Sequence, residues 1–222
     1  MKRWVETALE RVRAGQIIEV LEPLITDARR RRLREVLDRR LQSVTVVMDA
    51  PHNQHNGAAV MRSCDAFGVF RMHVVERHEP FAAANSVAKG AERWVEVITY
   101  RQVEEAVEAV RRGGHVLVGT HPEGELLPQE LAGIERLALV MGNEHDGIQK
   151  ALSEACSAYV QIPMRGFVES LNVSVSAAVL LCYAASSRPG DLSAEQRQKL
   201  YARYLLQSVT RAAEVLRDKG LL

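Results

Sequence analysis

Apolar positions in this chain change period as the sequence proceeds. Val5, Ala8, Leu9 and Val12, beside Trp4, recur at intervals of three and four, which places them on one face of a helix. The same spacing returns at Leu33, Val36, Leu37 and Leu41, behind Thr26-Asp27, a pair suited to capping a helix N-terminus. Helices are therefore predicted over 3–13 and 26–41. From residue 44 short β-branched runs take over. The first is Val44-Thr45-Val46-Val47-Met48, closed by Asp49-Ala50-Pro51. Further strands are predicted over 72–75, 94–98, 115–119, 137–141 and 159–163. Helical patterns fall between them: Ala58 to Phe67, closed by Gly68, then Val103 to Arg112, and a helix after Leu171. This alternation predicts an α/β fold with a mostly parallel sheet flanked by helices. Ser186-Ser187-Arg188-Pro189-Gly190 reads as a linker into a helical tail over roughly 193–218. The predicted division is an N-terminal helical segment (1–42), an α/β domain (43–187) and a C-terminal helical tail (188–222).

Composition narrows the class. A chain of 222 residues with 47% hydrophobic and 26% charged residues can bury a domain-sized core. No apolar run reaches the roughly 18 residues that a membrane helix needs, and no apolar signal region follows Met1. Cys64, Cys156 and Cys182 are widely spaced and odd in number, which argues against a disulfide framework or zinc site and for a reducing cytoplasm. His52 and His55 lack a neighbouring third ligand, so no metal is expected. A net charge of +1 says little about partners. Its distribution says more: Arg29, Arg30, Arg31, Arg32 and Arg34 crowd one predicted helix, and a run of four encircles it. Most of these arginines are expected to lack a carboxylate partner and to be available for bidentate contact with RNA phosphates.

Three loops that follow predicted strands carry the candidate chemistry, since open α/β sheets place ligands beyond their strand ends. They are His52 to Gly57 with Arg62 beyond it, Met141 to Gly147, and Pro163 to Asn172. Each combines glycine with Asn, Glu, Ser or Arg. In the last, Ser170, Asn172 and Ser174 precede a long apolar run, more polar groups than helix capping requires. Cys64 falls on a helical pattern with Val60 and Phe67 and reads as a buried, inert thiol. No Gly-x-Ser-x-Gly elbow or phosphate-binding Gly-Lys-Ser/Thr loop is present.

In order, these segments resemble the three motifs of one family. They are His55-Asn56-Gly57-Ala58-Ala59-Val60-Met61-Arg62 through Gly68, Met141-Gly142-Asn143-Glu144-His145-Asp146-Gly147-Ile148, and Ile162-Pro163-Met164 with Ser170-Leu171-Asn172-Val173-Ser174. The chain is similar over about 26–187 to the SpoU branch of the SPOUT RNA methyltransferases, and its Arg-rich helix resembles that of the tRNA-acting members. The resemblance implies a deep trefoil knot in the C-terminal part of the α/β domain, an obligate homodimer, and S-adenosylmethionine held by the knot loops. It implies cofactor contacts at Thr120, Gly142, Ile162 and Leu171, and functional roles for Asn56, Arg62, Glu144, Ser170 and Asn172, with Arg62 able to act in the partner's pocket. Where many relatives carry Lys after the Glu of the second motif, this chain has His145.

The reaction so implied is 2'-O-methylation of a ribose in tRNA, first of all a D-loop guanosine. Such a reaction needs a hydroxyl aligned with a reactive methyl and help in losing a proton. Arg62 is assigned to the ribose or its phosphate, Ser170 and Asn172 to positioning, and Glu144 to orienting the loop or Arg62. A general-base role for Arg62 is chemically difficult, because guanidinium keeps its proton to a pKa above about 12; an anchor for a phosphate that itself assists proton transfer is the other reading. Ribosomal RNA as substrate, and an RNA-binding factor without transferase activity, are the alternatives.

Overall fold

The computed structural model describes residues 3–51, 53–77, 80–81, 85–143 and 146–222. The chain divides into two compact units, Leu41–Pro189 on one hand and Met1–Arg40 with Gly190–Leu222 on the other.

The larger unit is built on a six-stranded sheet, all parallel, in the order β3-β2-β1-β5-β4-β6. Its strands are β1 Val44–Asp49, β2 Arg71–Val75, β3 Glu96–Tyr100, β4 Val116–Thr120, β5 Leu137–Met141 and β6 Ala158–Val160. β1 and β5 lie side by side at the centre, in register from Val44 opposite Leu137 to Met48 opposite Met141. Both are buried along their whole length, as parallel strands covered on two faces must be.

Strand alternation sorts the core into two layers. Val44, Val46, Met48, Met72, Val74, Leu137 and Leu139 face one way, against helices α4 (Gln54–Ala66) and α8 (Val173–Ala185), with the short α5 (Asn85–Ala88) beside α4. Val47, Val75, Leu117, Ala138 and Val140 face the other, against α6 (Val103–Arg112) and α7 (Lys150–Glu154). Cys64 is buried in the first layer, an apolar packing residue.

The smaller unit joins the two ends of the chain. Helices α1 (Arg3–Arg11), α2 (Ala14–Leu21) and α3 (Asp27–Leu37) all pack on α9 (Ala194–Ser208), and α2 also meets α10 (Ala212–Asp218). Val5, Ala8, Ile17 and Leu21 are buried here with Ala202, Tyr204, Leu205 and Leu206. Two buried arginines are held within the unit: Arg40 donates to the Tyr204 hydroxyl at 2.9 Å, and Arg203 makes a two-point contact with Glu6 at 2.7 and 3.1 Å.

Several element boundaries differ from expectation, each for a local reason. α4 begins at Gln54 instead of Ala58, because the Asn53 side chain accepts from the His55 N–H at 2.8 Å and caps the helix early. Asn56 and Gly57 thus move from a loop into the first helical turns. β3 starts at Glu96, since Trp94 and Val95 complete a 3₁₀ turn on Ala91. The predicted tail helix is broken: Val209 is extended and Arg211 sits at φ 58°, so α9 and α10 are separate. α2 and α7 are short helices that the apolar spacing did not signal.

Candidate active site

A cleft of about 510 Å³ opens at the carboxyl ends of β4, β5 and β6. Thr120, His121 and Pro122 come from the turn after β4, and Met141, Gly142, Asn143 and Gly147 from the end of β5 and the turn beyond. The segment after β6 contributes Ile162, Met164 and Glu169 to Asn172, and α8 supplies Val173, Ser176 and Leu180. The volume suits a small-molecule ligand. Thr120, Gly142, Ile162 and Leu171, expected to meet a cofactor, all line this one cleft.

Local structure explains its shape. The Asn143 N–H donates to the Gly147 carbonyl at 3.0 Å, and the Asp146 N–H to Asn143 Oδ1 at 2.7 Å. This pulls the two arms of the turn together. A Cβ on Gly142 would lie 2.5 Å from the Gly147 carbonyl carbon, so only glycine admits this approach. Gly119 and Gly124 are similarly crowded, by the Tyr159 ring and by the main chain of Tyr159 and Val160.

Asn172 is the hub of the polar groups. As N-cap of α8 its Oδ1 accepts from the Ser174 N–H at 2.8 Å and from Ser174 Oγ at 2.7 Å. Its Nδ2 donates to Asn56 Oδ1 at 3.2 Å, joining the start of α4 to the start of α8. Ser170 is exposed at the cleft wall, and among the described residues its hydroxyl has no hydrogen-bond partner. Ser170 and Asn172 therefore line the cleft, and Asn56 is tied to Asn172 without itself being part of the wall. Arg62 is not with them. It lies about eight residues into α4, farther along than expected because the helix starts early, and it is exposed and absent from the cleft wall. Among the described residues it has no ion-pair partner. Glu144 lies outside the described residues, as do His52 and His145.

The cleft wall carries no Lys or Arg among its described residues. A polyphosphate ligand would have no countercharge here. A ligand that is itself cationic at its reactive centre needs none, and the apolar Met141, Val160, Ile162, Leu171 and Leu180 offer a surface for a flat ring. The donor set fits S-adenosylmethionine: main-chain groups of the three turns for the base, and the Thr, Ser and Asn side chains for hydroxyls and a carboxylate.

The basic helix differs from expectation. Most of its arginines were expected to be unpaired, yet three of the five have ion-pair partners. Arg34 pairs with Glu22 at 2.7 Å, Arg30 with Asp27 at 3.0 Å and Glu22 at 3.7 Å, and Arg32 with Glu35 at 3.6 Å. Arg29 donates to Ser208 Oγ at 3.3 Å. Glu22 also accepts from the Tyr201 hydroxyl. Partial burial works to raise the Glu22 pKa, but the Tyr201 and Arg34 hydrogen bonds and the two guanidinium charges outweigh it and hold the carboxyl below its ordinary value. Of the five, Arg31, Arg32 and Arg34 are exposed on α3, and Arg29 and Arg30 are half-buried.

Sequence reasoning placed Asn143 and Glu169 in its candidate loops without giving either a role, and passed over Ser176 in the cleft wall and the pair Asp49 and Gln149. Asn143 had a visible signal, a polar residue immediately after a buried strand. Asp49 and Gln149 had none, since their link spans a hundred positions.

The model of the SpoU rRNA Methylase family matches residues 43–182. A protein of Thermus thermophilus named tRNA (guanosine(18)-2'-O)-methyltransferase is 34% identical over 164 residues, covering 73% of this chain and 84% of its own. The crystal structure of the Aquifex aeolicus TrmH/SpoU tRNA modifying enzyme superposes with a TM-score of 0.75 at 28% identity, over 83% of this chain and 98% of that one. AviRb of Streptomyces viridochromogenes, a SpoU methyltransferase solved with AdoMet, superposes with a TM-score of 0.59 at 28% identity, over 66% of this chain and 61% of its own. The chain belongs to the SpoU family of RNA methyltransferases.

Proposed function

We propose that this protein transfers a methyl group from S-adenosylmethionine to the 2'-hydroxyl of a guanosine ribose in the D-loop of tRNA. The observation that carries the reading is a cleft with no Lys or Arg among its described wall residues, with Ser170 and Asn172 on that wall and Asn56 hydrogen-bonded to Asn172. The relatives named tRNA (guanosine(18)-2'-O)-methyltransferase, matched over most of their length, support the choice of tRNA. When bound, the cofactor supplies an electrophilic methyl. The chain's own task is alignment: the Ser170 hydroxyl is available to hold a ribose oxygen, and Asn172 fixes Asn56 beside it. Arg31 and Arg32, exposed on α3, are offered to backbone phosphates. A knotted path through the three turns and a cytoplasmic location belong to the same reading.

The site is completed by a second copy of the chain. Arg62 is exposed and absent from its own cleft wall. α8 is apolar nearly all round, as fully buried helices are, yet Val175 and Tyr183 are 47% exposed on it. Pairing of two copies through this region would cover α8 and bring the Arg62 of each toward the other's cleft, where its fork suits a phosphate.

Methyl transfer from labelled S-adenosylmethionine to total tRNA and to ribosomal RNA, followed by nucleoside mapping, tests the reaction. The expected product is 2'-O-methylguanosine in tRNA. Label confined to ribosomal RNA would transfer the reading to the substrate in the family's description. Mixing inactive Arg62→Ala and Asn172→Ala proteins tests the shared site. If each site takes Arg62 from one copy and Asn172 from the other, mixed dimers regain one working site. Activity should then return to about a quarter of wild type under free exchange, whereas sites made within one chain would give no return.

A further inference from the structure

We propose that Asp49, which lies outside the cleft, is the positioning residue that sets the shape of its β5 wall, and through it the affinity for S-adenosylmethionine. The inference rests on the reading of the cleft as a cofactor site.

Asp49 is the last residue of β1 and is fully buried. A carboxylate in such a place is costly unless every lone pair is used. Here Oδ2 accepts from the Gln149 N–H at 2.6 Å and from Arg77 Nη2 at 2.9 Å, while Oδ1 accepts from Gln149 Nε2 at 2.7 Å. Gln149 is the N-cap residue of α7, but its side chain makes no bond to that helix and turns to Asp49 instead. Main chain and side chain of one residue therefore close on the two oxygens of another.

The place of this clasp gives it its role. The turn that lines the cleft enters from β5 at Gly142, held by the sheet, and leaves toward α7 at Gln149, held by Asp49. Between these anchors lie Gly147, whose carbonyl meets the Asn143 N–H, and Asp146, whose carboxylate lies 3.6 Å from the Arg77 guanidinium. Arg77 thus touches both the clasp and the turn. With the exit anchor removed, Gly147 is free to move away from Gly142, and the close approach that forms the wall is lost.

The test uses the full-length protein and three substitutions. Asp49→Asn keeps the shape but sets an amide against donors. Gln149→Ala removes one arm and leaves the main-chain arm in place. Arg77→Gln removes the charge from a partly exposed position. The affinity for S-adenosylmethionine and S-adenosylhomocysteine is measured by calorimetry, and KM for cofactor and tRNA separately. Loss of a hydrogen bond to a charged group predicts about ten-fold or more weaker cofactor binding for Asp49→Asn and several-fold for Gln149→Ala, with KM for tRNA unchanged. A merely structural role would lower the unfolding midpoint and leave the cofactor affinity of the folded protein as in wild type; that result in either Asp49→Asn or Gln149→Ala overturns the proposal. If Asp49→Asn fails to fold, Gln149→Ala and Arg77→Gln decide on the same criterion. A wild-type protein that binds neither ligand overturns the cofactor reading itself, and this assignment with it.

Discussion

His73 shows how one residue couples the sheet to pH. It lies inside β2, 5% exposed, with Nδ1 at 2.8 Å from the Tyr100 hydroxyl. Burial, and next the Arg71 charge, push its pKa down to about 4 from the ordinary 6.5, so the ring is neutral in the fold. The unfolded chain takes up a proton near pH 6.5 that the folded chain refuses until near pH 4. Stability is thus complete above about pH 6.5 and declines as pH falls toward 4, by roughly 3 kcal/mol at most from this residue. His115, whose pKa is also lowered by burial, contributes with the same sign. Denaturant midpoints taken between pH 7 and 4.5 should fall less steeply for His73→Gln than for wild type; equal slopes would contradict this account. At this scale the sequence was legible wherever the signal was local. The loops after β5 and β6 stand out because they follow predicted strands, where a parallel sheet presents its ends, whereas cofactor contacts at Thr120, Gly142, Ile162 and Leu171 are implied only by the resemblance. The pairing of Arg34 with Glu22 and Tyr201 was not legible, because Tyr201 is brought from the far end of the chain.

At the scale of elements, α8 does two jobs whose sequence signals overlap. Its body fills one layer of the core with Ala177, Leu180, Leu181 and Ala184, and its first residues present the polar groups of the cleft. The abundance of polar groups before its apolar run is explained by this doubling: Asn172 caps the helix and also reaches Asn56. Substitution can separate the roles. Asn172→Ala should cost about 1 kcal/mol of stability through loss of the cap. Asn172→Ser keeps a capping oxygen but is too short to reach Asn56, so its unfolding midpoint should stay near wild type while methyl transfer falls, by about a hundred-fold if alignment is lost. A Ser variant with both properties intact would show that the Asn56 link is dispensable. Strand positions were read well from the β-branched runs. Helix starts were read less well, because α4 begins on a side-chain cap at Asn53 that precedes any apolar periodicity.

The whole molecule shows what periodicity could not: the two ends of the chain share one core. The apolar stripe of α1 and a helical tail were each visible, but a stripe states only that it will be covered, not by what. The cover is mutual, with α9 against α1, α2 and α3. Gly190 marks the return, where a Cβ would collide with the Asp38 carbonyl oxygen. Deleting 190–222 should leave the sheet's hydrogen-bond network untouched and strip α1–α3 of their partner. Limited trypsin digestion followed by mass spectrometry should then show rapid cutting between Arg29 and Arg34, with a persistent fragment near 41–189. Equal resistance in both regions would refute the mutual cover.

That shared core also orders events during synthesis. The ribosome releases α1, α2 and α3 ahead of the sheet, yet α9 emerges only after every strand of the sheet has been made. Throughout that interval Val5, Ala8, Ile17 and Leu21 lack the surface that will bury them. Helices translated ahead of the sheet belong to a unit finished after it. A nascent chain halted between β6 and α9 therefore carries an apolar, arginine-rich arm, open to chaperones and to stray RNA, although all the strands of its sheet have been made.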